Sequence, residues 1–481
     1  MTHAAETLAE FATGLKFEDI PADVVDYSKK LIADTVAASI LGGRMPWSTA
    51  IREVALLGDP KGGASAIGVG RPTTASAAAF INGSYGHAND FDDFYAYGPL
   101  HPSQTVWVAL PVAEEEGATG AEAIAALVVG YDVSVRIAEA CFSHETHKER
   151  TLGVRGFHAQ PVCGVLAAAA QTGRLMGLSA DTTASAMGIS GSYAGGLMQF
   201  MEEQADTKRF HFGKASQEGI VSAQLAAHGF RGPKSVLEGK KGLLNAVVGN
   251  WVSEKLTENL GTHFGIMSAF LKPIPTMGGN LGCYDAMSQI VEKNGIVAED
   301  IASVTAELRS QFTGYSLGIG EQAIEDHYVP TDRYSAEMSL PYLLALVAVH
   351  GRDLTPRQFD EAERSNSRVL AVARRVEVQF PADIDAISRF DTFPMGRVTV
   401  RLNDGRTLTE TVKVSLGDPR QPLSWDQVRA KFDTCADGAL DADAIDEFFE
   451  IVRNLDKADS LDKLGQVLRR ARITPWPGER F

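Results

Sequence analysis

The segment KPIPTMGG, beginning at Lys272, limits what this chain can fold into more than any other feature, because the texture of the sequence changes across it. Its two prolines and two glycines mark a break or hinge. Upstream, the sequence reads as helix after helix. Pro21 opens one segment, in which Val25, Leu31, Ile32 and Val36 recur near helical spacing before Gly42-Gly43 stops it. Thr119-Gly120 opens another, with Ile124, Leu127, Val128, Tyr131 and Val135 as its apolar stripe. Val162 to Met176 and Ala184 to Phe200 are crowded with Ala, Gly and Ser, which lets helices approach closely and predicts two buried central helices. No repeat period points to a solenoid.

Downstream of the break, SVTAELRSQF, RRVEVQFP and RVTVRLNDGRTLTETVKVS read as strands. In the last, Val398, Val400 and Leu402 alternate up to Asn403-Asp404-Gly405, and Leu408, Val412 and Val414 follow on one parity, which predicts a hairpin. The apolar run EMSLPYLLALVAV supplies a helix between the strands, and helical sequence returns from about Ser424. The expected fold is mainly α. Residues 1–270 plus 418–481 form a large all-α helical domain, and residues 271–417 form a smaller inserted α+β lid domain. A length of 481 residues suits two cores better than one.

A net charge of −16 argues against nucleic acid or an anionic membrane as partner, and requires a local cationic pocket for any anionic ligand. The four cysteines, Cys141, Cys163, Cys283 and Cys435, are widely spaced and fit a reducing compartment. The start MTHAAETLAEF lacks the basic and apolar regions of a signal peptide. The longest apolar run, Leu340 to Val349, has about half the residues of a membrane span. A cytoplasmic protein is expected.

Chemistry concentrates in HANDFDDFYAYGPLH, from His87 to His101. Two histidines, three carboxylates (Asp90, Asp92, Asp93) and two tyrosines (Tyr95, Tyr97) stand between alanine-rich and apolar flanks. A polar cluster in packing sequence is costly unless its members satisfy one another or do chemistry. A carboxylate beside a histidine can act as base or orient the imidazole. The plain alternative is capping by Asn89 and Asp90 with Asp92 and Asp93 in solvent. A divalent-metal site needs a second acidic motif, and Glu202-Glu203 is poorly spaced for one, so no metal is expected. Ser103 is a candidate cap, with His101 then a loop residue. His158 precedes a small-residue helix, whose N-terminus would favour an anion and depress the imidazole pKa. Lys208, Arg209, His211 and Lys214 make a cationic island in an acidic chain, and Phe210, Phe212 and Gly213 between them argue for partial burial. Lys272 places another ammonium at the domain break, and clefts between domains commonly hold small molecules. GISGSYAGG has no strand before it, so a dinucleotide fold is unsupported, and no GxSxG or HExxH occurs.

Taken together, GHANDFDD with HPS, GFHAQPVCG, TKRFHFGKAS, GFRGPKSVLEGKKG, KPIPTMGG and PTDRYSAEMSLPY resemble the MmgE/PrpD family, in family order and over nearly the whole chain. The resemblance implies an all-α domain with an inserted α+β lid, a homodimer, and no metal or organic cofactor. It also implies a small polycarboxylate substrate and proton transfer next to a carboxylate-bearing carbon. Asp90, His101, His158, Lys208 and Lys272 match the pocket positions of the family's decarboxylases. The resemblance assigns Lys208 and Lys272 to substrate carboxylates, with Arg209 beside them. It gives His101 or His158 the proton transfer and Asp90 the orienting or charging of a histidine; Tyr315 aligns with a lid tyrosine.

Three positions depart from the pattern. Phe94 replaces a threonine of the decarboxylases, Met277 a lid histidine, and Leu281 a histidine of the dehydratases. Three readings follow. The first is a cofactor-independent lyase, a dehydratase or decarboxylase of a 2-methylcitrate- or aconitate-like acid. The second is an epimerase or isomerase of an iminodisuccinate-like dicarboxylate, with His101 and His158 as its acid–base pair. The third is a non-catalytic family member.

Overall fold

The fold described here is that of a computed structural model. The structure describes residues 2–479 except 97, 99, 142–151, 204, 311–326 and 388–393. The chain divides into two compact units, the first comprising residues 1–88, 92–269 and 428–475, and the second 89–91, 270–427 and 476–481. The protein is mainly α.

In chain order, the longer elements of the first unit begin with α1 (Ala4–Gly14), α2 (Ala22–Gly43), α3 (Ala75–Gly86) and α4 (Val106–Glu115). They continue with α5 (Gly120–Cys141), α6 (Ala159–Leu175), α7 (Ala180–Ser190) and α8 (Thr207–Ala227). Pro21 caps α2 and Gly43 ends it, as the sequence predicts. α5 is buried along almost its whole length, on more faces than its stripe alone would cover.

Small residues position the bundle. α8 packs on α3 and on α6, and α6 on α5. At the first crossing, a Cβ on Gly213 would lie 2.2 Å from both the Phe80 carbonyl oxygen and Ser84 Oγ. At the second, a Cβ on Gly219 would lie 2.3 Å from the Ala168 methyl. Only glycine allows either approach.

The expected helix from Ala184 to Phe200 is a correction. α7 ends at Ser190, and the chain then runs back beside residues 156–158. Phe157 bridges Leu197, and the amides of His158 and Met198 donate to the carbonyls of Gly196 and Gly156. The glycines and serines read as helix-packing residues serve this turn instead.

In the second unit, a helix, α9 (Leu281–Asn294), and the helix α10 (Leu340–His350) pack together against a four-stranded sheet. Its strands are β1 (Ile301–Glu307), β2 (Val376–Gln379), β3 (Gly396–Leu402) and β4 (Thr407–Val412), in the order β2-β1-β3-β4. β1 and β2 run parallel, and the other pairs are antiparallel. Val398, Val400 and Leu402 are buried while their neighbours are more exposed, and Gly405 takes φ 90° in the turn to β4. Residues 418–427 stay with this unit, held by turns such as the Gly417 amide on the Gln421 carbonyl. Residues 476–479 join it too: Trp476 Nε1 donates to Asp360, and Glu479 pairs with Arg364 at 2.9 Å. Asp360 and Glu479 also flank the buried Arg333, which bonds Glu337 at 2.9 Å.

Helices α11 (Trp425–Ala436), α12 (Ala442–Arg453) and α13 (Asp462–Arg470) follow, and from Val428 to Pro475 the chain belongs to the first unit. Lys431 on α11 donates to Asp34 on α2 at 2.7 Å, with both side chains almost fully buried. All four cysteines are buried, and none forms a disulfide. Among the described residues, no helix is long and apolar enough to cross a membrane.

The Lys431–Asp34 pair joins segments far apart in sequence, and removing one partner strands a buried charge. Lys431→Met is expected to lower unfolding free energy by about 3–5 kcal/mol, and Lys431→Met with Asp34→Leu to recover most of it, read by chemical denaturation. Equal losses in both variants would contradict a charge effect.

Candidate active site

α3 ends at His87, its C-cap, so Asn89 and Asp90 follow a helix end and do not cap a helix start. Asp92 and Asp93 are fully buried, which overturns the solvated alternative. Asp92 Oδ2 meets His87 Nδ1 at 3.0 Å and His101 Nδ1 at 3.4 Å. Burial alone would raise its pKa, yet the two imidazoles hold the carboxyl well below its usual range. Asp93 accepts from Tyr131 Oη at 2.8 Å and from the Ser103 amide at 3.1 Å, while its carbonyl bonds His101 Nδ1. Burial, then the charge of Asp92, pushes the Asp93 carboxyl up to about 6. Ser103 lies within the turn Pro102–Thr105 that leads into α4, and makes no side-chain cap.

The rings form a continuous layer. His87 stacks on Phe212 at 4.0 Å with 5° between planes, and its centroid lies 4.9 Å from His101 and 5.8 Å from His158. His158 Nδ1 lies 2.9 Å from His211 Nδ1. Phe200 closes against both of these rings. His158 is the N-cap residue of α6, as expected, but its side chain makes no cap bond. Burial is the main cause that holds its pKa well below the usual imidazole value, followed by the neighbouring histidines and Lys208. Burial also lowers His87 and His211, each to about 4, with Lys208 contributing to both. Three imidazoles are therefore neutral near pH 7, with a lysine ammonium acting on all of them.

Lys208 and His211 stand one turn apart at the start of α8, and Phe212 is buried, so the partial burial read from the island is correct. Arg209 is committed elsewhere: its guanidinium lies 3.7 Å over the Trp47 ring and pairs with Asp206. Lys214 bonds Glu218 at 2.8 Å. Glu202 and Glu203 are exposed. Phe94 is buried with its ring 6.4 Å from His101, so an apolar face stands where the family pattern has a hydroxyl.

Within the second unit, Asp90 takes φ 49°, a strained value for a residue with a side chain. Lys272, fully buried, holds it twice, donating to the Asp90 carbonyl at 2.8 Å and pairing with its carboxylate at 3.1 Å. The carboxylate between the imidazoles is thus Asp92, while Asp90 offsets Lys272. Met277 and Leu281 are buried. Tyr315 and Tyr97 lie outside the described residues. His87, His211 and Asp92 are the members of the cluster that the sequence left unassigned.

A cation is one further way to use this set. His87, Asp92 and His101 each offer a ligand atom within 4.8 Å of the others. The direct His–Asp contacts already engage Nδ1 of both rings.

Residues 6–254 match the MmgE/PrpD N-terminal domain and residues 275–457 the MmgE/PrpD C-terminal domain. Relatives include the cis-aconitate decarboxylase of Aspergillus terreus (strain NIH 2624 / FGSC A1156), 28% identical, with 96% of this chain and 95% of the relative covered. The cis-aconitate decarboxylase of Homo sapiens is 26% identical, covering 96% of this chain and 94% of its own length. That of Mus musculus is 25% identical, covering 96% and 93%. Two domain matches that together span most of the sequence, in the expected order, make this chain a member of the MmgE/PrpD family.

Proposed function

We propose that this protein is a cofactor-independent lyase acting on a small di- or tricarboxylate of the aconitate type. The observation that carries the reading is a layer of buried imidazoles, kept neutral beside Lys208 and a carboxylate. A neutral imidazole can take a proton and, as imidazolium, give it back, which is what a lyase needs next to a carboxylate-bearing carbon. When such a carboxylate leaves as CO₂, the electron pair of the broken bond stays on carbon, and an imidazole that has taken up a proton from solvent delivers it there and returns to its neutral form. In a dehydration, an imidazole removes a proton from carbon, and the imidazolium so formed passes it to the departing hydroxyl, which leaves as water. A nearby ammonium lowers the cost of the developing negative charge.

In this reading His101 and His158 transfer protons, and Lys208 holds a substrate carboxylate. Asp92 takes the orienting role that the sequence gave to Asp90. Lys272 pairs with Asp90, and Arg209 is a packing residue on Trp47. The names of the relatives support an aconitate-like acid, while the buried Phe94 ring favours an apolar group of the substrate on the side of His101.

The direct experiment is turnover of a polycarboxylate panel in deuterated buffer. New C=C absorbance or released CO₂ supports the lyase; deuterium washed into otherwise unchanged substrate would favour the epimerase. His158→Ala is expected to lower kcat by about 10²–10⁴-fold, and Lys208→Ala to act mainly on KM. Unchanged kinetics in both variants would remove the assignment.

Activity is also expected to survive exhaustive chelation. Full loss, restored by adding Mg²⁺ or Zn²⁺, would instead make His87, Asp92 and His101 a metal site.

Stability should depend on pH with a definite sign. An unperturbed imidazole titrates near 6.5, whereas His87 and His211 titrate at about 4 and His158 well below its usual value in the folded chain. As pH falls below 6.5, the unfolded chain binds protons that the folded rings refuse, so stability is lost. Asp93, raised to about 6, works the other way, because the folded state keeps a proton that the unfolded state has released. Within this layer one group opposes three, so the layer's contribution to the denaturation midpoint should fall between about pH 6.5 and pH 4.5. A contribution that rises over this range would refute the neutral layer.

A further inference from the structure

His158 and His211 meet through like atoms, Nδ1 to Nδ1, at 2.9 Å. Two nitrogens at that distance require one proton between them, since two N–H groups would clash and two lone pairs would repel. Both rings are neutral near pH 7, and a neutral imidazole carries a single N–H. The two tautomers are therefore locked together. When His211 Nδ1 holds the shared proton, His158 Nδ1 accepts it and His158 Nε2 carries its own hydrogen. When His158 Nδ1 holds the proton, its Nε2 is a bare acceptor. The same nitrogen is a hydrogen-bond donor in the first arrangement and a bare acceptor, able to act as a base, in the second.

The backbone fixes this geometry from both sides. The His158 amide donates to the Gly196 carbonyl at 2.9 Å. A Cβ on Gly196 would lie 3.2 Å from His211 Cε1 and 3.3 Å from its Nε2. One glycine thus ties down the His158 main chain and leaves room for the His211 ring edge. His211 is 3% exposed and sits one turn after Lys208 on α8.

We propose that His211 is a positioning residue that sets the tautomer of His158, and so decides whether His158 Nε2 meets the reacting group as a hydrogen-bond donor or as a proton acceptor. The proposal rests on the proton-transfer role given to His158 above, but its first test needs no substrate. In protein labelled with ¹⁵N at histidine, long-range ¹H–¹⁵N spectra distinguish the two tautomers of each neutral ring. His158→Gln and His211→Asn identify the signals of the pair. His158 is expected in one tautomer in the native protein. His211→Asn, whose amide group can occupy the place of Nδ1, should keep a single His158 tautomer. His211→Phe, which keeps a ring but offers no hydrogen bond, should leave His158 in a mixture or in the other tautomer.

In turnover, His211→Phe should lower kcat about 10–100-fold with KM changed less than about twofold, and His211→Asn should recover most of the loss. A His158 spectrum identical in native and His211→Phe protein overturns the proposal, whatever the kinetics. So does a kcat loss that His211→Asn fails to recover while the His158 tautomer is preserved. If no polycarboxylate turns over in native protein, the lyase reading fails, and the spectra still decide whether His211 governs the His158 proton.

Discussion

A single buried carboxylate organises the first unit. Asp92 has no exposure, and an unpaired charge there would cost several kcal/mol. Two imidazoles share one of its oxygens and offset that cost. The consequences spread outward. His87, fixed by Asp92, presents a flat face on which Phe212 lies nearly parallel. For Phe212 to reach it, α8 must come down on α3, and Gly213 removes the side chain that would prevent this. The same descent brings Lys208 and His211 to the ring layer. Electrostatics, ring stacking and helix packing are here one constraint, and a change at any of the three positions acts on the others.

Much of the architecture was legible because local chemistry and final structure agree. Pro21 starts α2 as its fixed φ requires, and Asn403-Asp404-Gly405 turns the hairpin with glycine in the left-handed region. Reading failed where small residues had two uses. In Ala184 to Phe200, alanine density signalled a helix, but Gly191, Gly195 and Gly196 serve a turn that pairs with residues 156–158. Small-residue content alone does not separate close helix packing from close backbone approach. The placement of residues 476–479 was beyond the sequence for another reason. Their partners Arg333, Asp360 and Arg364 are distant in the chain, and nothing local announces them.

For the site, the residue types were visible but the pairings were not. His101, His158 and Lys208 stood out by their surroundings and all contribute to the layer. The cluster His87 to His101 contains three aspartates with nearly equal claims on a histidine. The fold gives Asp92 to the imidazoles, Asp90 to Lys272 and Asp93 to Tyr131. A signal existed in retrospect: His87 and Asp92 flank a tight turn after a helix, and His211 follows Lys208 at helical spacing. Both are weak cues, because they require knowing that the turn is buried.

The return of residues 476–479 to the second unit has a consequence for how the chain is made. During synthesis Arg333 emerges with Glu337 and soon Asp360, yet one of its carboxylates, Glu479, arrives only after three further helices of the first unit. Those helices in turn supply Lys431 to Asp34, which has waited since early in translation. Neither unit can complete its buried charge network as a vectorial, one-after-the-other event. Both finish late and nearly together, so partly made chains carry incompletely paired charges in what will become two interiors.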